Sequence, residues 1–99
     1  WTAVRDMRDA VQEKSDKRIY ITPGILELHV RESHYLEAVC ENMLEKAVRW
    51  SVKDQAGTVD ARGYYTAPNV PGVYEVVAQS VAFPEVRASI FVVVRDYDA

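Results

Sequence analysis

The sequence predicts an all-β fold: an antiparallel β-sandwich preceded by a short N-terminal α-helix. Three observations carry this reading. After residue 18, apolar and polar residues alternate at period two in five separate segments, the pattern of strands that bury one face. Gly57, Gly63, Pro68, Pro71-Gly72 and Pro84 punctuate those segments with turn residues. No helical period lies between them, and short strands joined by turns build antiparallel sheets that pack face to face.

Residues 1–18 are the exception. They hold no Gly or Pro, and Val4, Met7 and Val11 recur at three- and four-residue spacing beside Trp1, Ala3 and Ala10, which puts one apolar stripe on a helix. Arg5–Asp9 and Glu13–Lys17 are opposite charges at i,i+4 and suit its solvated face. So short an amphipathic helix is marginal alone, so it is expected to pack on the following domain or on a preceding one. The domain proper is placed at 19–95, with 96–99 as a tail. Within it, Leu26, Leu28 and Val30 form one inward set after the Pro23-Gly24 break, and Leu36, Ala38 and Cys40 the next. Val48, Trp50 and Val52 follow, then Tyr74, Val76, Ala78 and Ser80, then Ala88, Ile90, Val92 and Val94. Residues 41–47 lack alternation and read as a connection, with Met43 and Leu44 expected to cap one end of the core. Trp50, between Val48 and Val52, is expected to be the large central side chain between two sheets.

At 99 residues the chain fits one domain. Its 12 Lys+Arg against 15 Asp+Glu leave a net charge of -3, without the basic excess that binding nucleic acid or an anionic membrane surface demands. No apolar run approaches the ~20 residues of a membrane-spanning helix. One cysteine rules out an internal disulfide. The chain opens on Trp1, which points to a piece of a longer protein.

The run Gly57-Thr58-Val59-Asp60-Ala61-Arg62-Gly63-Tyr64-Tyr65-Thr66-Ala67-Pro68 resembles a signature of bacterial immunoglobulin-like domains of the invasin and intimin type. Trp50-Ser51-Val52 ahead of it, Pro71-Gly72-Val73-Tyr74-Glu75-Val76-Val77-Ala78-Gln79-Ser80 behind it and the closing Val92-Val93-Val94 are similar to further strands of that family. The resemblance covers Ile19 to Val94. It implies an immunoglobulin-like topology, an extracytoplasmic setting (cell surface, secreted or virion) and a structural or binding role. It also makes Tyr65 the core member of the Tyr64-Tyr65 pair. Gly72 two residues before Tyr74 resembles a tyrosine corner, in which the hydroxyl bonds backbone upstream. In disulfide-bonded relatives the inter-sheet cysteines would fall near Ala38 or Cys40 and near Val76. The chain has only four Gly and 27% charged residues, unlike stalk-forming members, so a single module appended to another domain fits it better.

No nucleophile elbow, zinc-protease helix motif, phosphate loop or dinucleotide turn occurs. Cys40 reads as a small buried hydrophobe rather than a nucleophile served by His29 or His34. The expectation is therefore a non-catalytic module with no cofactor and no metal, a spacing, presentation or adhesion unit of a larger bacterial or phage protein. The expected core is Trp50, Tyr65, Tyr74, Val76 and Ala38. Candidate contact residues are Phe91 and Val93, on the solvent face of the last strand, with Tyr64 and Phe83. The partner is a neighbouring domain or another protein, without nucleic acid or membrane insertion. The alternative is a glycan, bound as the accessory domain of a secreted enzyme.

Overall fold

A computed structural model describes residues 16–97. Nine strands follow one another: β1 (Arg18–Thr22), β2 (Ile25–His29), β3 (Ser33–Tyr35), β4 (Glu37–Glu41), β5 (Val48–Val52), β6 (Thr58–Val59), β7 (Tyr64–Thr66), β8 (Gly72–Ser80) and β9 (Arg87–Arg95). Among the described residues there is no helix. The helix expected over 1–18 lies almost wholly outside them. Of its last three residues, Asp16 and Lys17 have no regular structure and Arg18 opens β1.

The strands form three sheets: β1–β4, β3–β7–β6 and the larger β2–β9–β8–β5. Their buried residues meet in a single apolar cluster. It draws Ile19 and Ile21 from β1, Leu26 and Leu28 from β2, Tyr65 from β7, Val76 and Ala78 from β8, and Ile90, Val92 and Val94 from β9. Alternation explains the membership. In β1 and β2 every second residue is buried, and in β8 Val76, Ala78 and Ser80 point inward together. Pairing is antiparallel except between β2 and β9, which run parallel with Ile25 opposite Phe91. This corrects the wholly antiparallel expectation. The Pro23-Gly24 break moves the first run from β4 onto β9 without reversing it. The return that a parallel pair requires is then made by the whole intervening domain.

Tyr65 is completely buried. Its hydroxyl donates to the Ala56 carbonyl at 2.7 Å, and burial pushes its pKa up to about 12. The loop around it is shaped by two glycines. Gly57 has φ +100, and a Cβ there would run into the Thr66 carbonyl and come within 3.1 Å of the Tyr65 hydroxyl. Gly63 has φ +87, and its missing Cβ makes room for the Leu36 carbonyl and the Trp50 ring. Both positions combine a left-handed backbone with close approach, which only glycine meets without strain.

Trp50 is not the centre of the core. It packs against the cluster across Gly63 while keeping part of its surface in solvent. Its strand, β5, is one of the two edges of the four-stranded sheet and pairs only with β8. Val48 and Val52, its neighbours on the same face, are likewise only partly buried. Val76 has no exposed surface, whereas Ala38 and Tyr74 are partly buried at the margin. The Tyr74 hydroxyl donates to the Val70 carbonyl, four residues upstream, at 2.6 Å. Residues 42–47 connect β4 to β5, but only Met43 caps the core; Leu44 is fully exposed. The Cys40 thiol is buried and faces the Lys46 carbonyl at 3.6 Å.

Because Tyr65 rather than Trp50 sits at the centre, Tyr65→Ala should cost about 3–5 kcal/mol, as for other large buried aromatics, and Trp50→Ala distinctly less. Tyr65→Phe, which strands the Ala56 carbonyl, should cost about 1–3 kcal/mol. Urea denaturation of the three variants checks the order, and a larger loss for Trp50→Ala than for Tyr65→Ala would contradict it.

Candidate interaction surface

The outward residues of the four-stranded sheet stand in rows set by the strand register. Ile25, Phe91 and Glu75 share one row across β2, β9 and β8. Glu27, Val93 and Val73 form the next. Four of these six side chains are apolar: Ile25 is 77% exposed, Val73 64% and Phe91 56%, and Val93 between them is partly covered. Strands lie about 4.8 Å apart, so these side chains form one continuous apolar patch. A lone exposed Ile or Val is ordinary, and a contiguous apolar set on one face is a candidate contact surface. Charge frames it: Arg95 bonds Glu27 at 2.9 Å, and Glu75 stands directly beside Phe91.

Phe91 and Val93 are thus brought together on this face, but Tyr64 and Phe83 are not part of it. Tyr64 lies on β7 in the three-stranded sheet, where its ring meets that of its cross-strand neighbour Tyr35 at 4.5 Å and a tilt of 51°. Phe83 belongs to the β8–β9 loop and packs against the core. The Lys17 ammonium lies 4.7 Å from its ring centroid. Ile25 and Val73 were absent from the sequence expectation. Each falls on the outward set of its own strand by alternation, but that signal does not say which strands are neighbours.

The polar groups hold local structure. Asp60 Oδ1 accepts from the amides of Tyr64 at 3.0 Å and Arg62 at 2.9 Å, closing the turn before β7. These two bonds hold the Asp60 carboxyl below its ordinary pKa. Glu32 Oε1 accepts from the His29 amide at 2.7 Å, which lowers its pKa in the same way. The His29 ring stacks on Tyr97, with centroids 4.8 Å apart, and His34 Nδ1 bonds the Tyr35 carbonyl at 2.7 Å. The Cys40 thiol meets the Lys46 carbonyl instead of either histidine. Among the described residues no group of three or more His, Cys, Asp or Glu is placed to hold a metal ion, and no helix is long and apolar enough to cross a membrane.

A carboxylate whose folded pKa is depressed contributes stability that is present above its unfolded pKa, near 4, and lost as the pH falls through the folded value. The midpoint of thermal unfolding should therefore hold from neutral pH to about 5 and drop below about 4. Asp60→Asn keeps an oxygen that can accept from both amides but removes the titration, so its acid loss should be shallower. Melting curves between pH 2 and pH 7 check this, and identical acid profiles for the two proteins would contradict it.

No protein-family model matches the chain, and comparison with curated proteins returns no match.

Proposed function

We propose that this chain is an immunoglobulin-like β-sandwich acting without catalysis, as a structural and interaction module of a larger bacterial or phage protein. The strand order supports the topology: in this reading the sheet β2–β9–β8–β5 is one layer, and the two separate sheets β1–β4 and β3–β7–β6 together make the other. Apart from β2, which pairs parallel to β9, this is the division of a seven-stranded immunoglobulin sandwich. The Tyr74 bond to Val70 supports it too, since it has the form of a tyrosine corner. In this reading Ser33–Glu41 is one strand interrupted at Leu36, where the amide turns to the Gly63 carbonyl at 2.7 Å.

The observation that carries the functional reading is the exposed patch of Ile25, Val73 and Phe91. The module presents this face to a neighbouring domain or protein at a cell surface, in a secreted protein or on a virion. The absence of an internal disulfide fits a module held by packing alone. A glycan platform has less support, because the Tyr35 and Tyr64 rings pack on each other at a steep tilt instead of lying coplanar.

The double variant Ile25→Thr/Phe91→Lys tests the role of the face. Both side chains are exposed, and the lysine would stand beside Glu75, so stability of the free chain should change by no more than about 0.5 kcal/mol. In the parent protein the same pair of changes should lower the unfolding midpoint and speed proteolysis at the domain boundary. Equal, small effects in both settings would contradict the reading.

A further inference from the structure

A second apolar surface lies away from this face, on the connection from β4 to β5. Leu44 is fully exposed there, beside the buried Met43. Phe83 faces it from the β8–β9 loop. With Asn42, Glu45 and Lys17 these residues line an open groove of about 540 Å³. The groove lies where the chain enters the first strand. Asn42 Nδ2 donates to the Asp16 carbonyl at 2.7 Å, and Lys17 reaches over the Phe83 ring.

Fifteen residues of the sequence stand directly ahead of Asp16, and their apolar members, Trp1, Val4, Met7 and Val11, recur at three- and four-residue spacing. The segment is covalently held at the mouth of the groove, so its local concentration there is high and weak apolar contact suffices to seat it. Even wound as a helix, at about 1.5 Å per residue, the chain carries Val11 and Met7 about 8–14 Å from Asp16. The groove offers a Leu and a Phe to cover, and the segment offers a matching stripe that is marginal by itself.

We propose that this groove is the docking site for the chain's own N-terminal segment, with Val11 and Met7 covering Leu44 and Phe83. Docking would fix the direction in which that segment leaves the β-domain. The assignment is independent of the role of the Ile25–Phe91 face.

Methyl NMR on the full 99-residue chain tests it. Nuclear Overhauser effects are expected between the Met7 or Val11 methyls and the Leu44 methyls or Phe83 ring, within one molecule and independent of concentration. Leu44→Gln in the full chain should remove those effects and lower the thermal midpoint by about 4 °C, while the Val76 and Val92 signals stay in place. Absence of the effects in the unsubstituted chain overturns the proposal whatever the midpoint does. Effects found only between labelled and unlabelled molecules overturn it as well, by placing a second copy in the groove.

Discussion

A tyrosine buried without any exposed surface, its hydroxyl spent on one backbone carbonyl, is the constraint on which this domain rests. Tyr65 comes from the three-stranded sheet, yet it belongs to the same apolar cluster as Val76 and Val92 of the four-stranded sheet. The chain has one cysteine, so nothing covalent joins the sheets. Apolar contact must do so, and it falls off quickly when shapes no longer match. The hydroxyl bond to Ala56 adds direction to that packing, because a buried phenol without a partner would carry a desolvation cost. Gly57 and Gly63 complete the arrangement by letting the β5–β7 loops come close enough to receive the ring.

The same arrangement explains which residues are free for function. The core is filled by the inward sets of the strands, so the outward sets are left to solubility or contact. Most are polar or charged, but Ile25, Val73 and Phe91 are not, and they fall on adjacent strands of the larger sheet. Their side chains contribute nothing to the interior. The contact role proposed for this face would account for them where folding does not. The groove beside Leu44 is a separate case, since it arises from a connection rather than from a strand face.

Much of this was legible in the sequence, because period-two alternation is a local signal. It placed β2, β5, β8 and β9 and their inward residues. Alternation left the choice between Tyr64 and Tyr65 open; the resemblance carried by the run from Gly57 to Pro68 made Tyr65 the core member, and the structure buries it completely. What alternation could not supply was non-local. It assigns a face to Trp50 but does not reveal that β5 is an edge strand, so a large aromatic drawn at the centre lies at the margin. It assigns outward faces to Ile25 and Val73 but not their adjacency to Phe91 and Val93, because the parallel register of β2 on β9 is set by the Pro23-Gly24 break together with the rest of the domain. Leu44 was misplaced for a related reason: in an irregular connection no period tells which of two adjacent apolar residues turns inward.

Native-state amide exchange tests the central claim most directly, since it reports the opening free energy of each strand separately. If the core around Tyr65 joins the sheets into one cooperative unit, the amides of β7 should open with the same free energy as those of β8 and β9, at the global limit. The edge strand β5 should open below that limit. Amides of β7 that exchange far faster than those of β8 and β9, or a slowest-exchanging set centred on Trp50, would contradict the account.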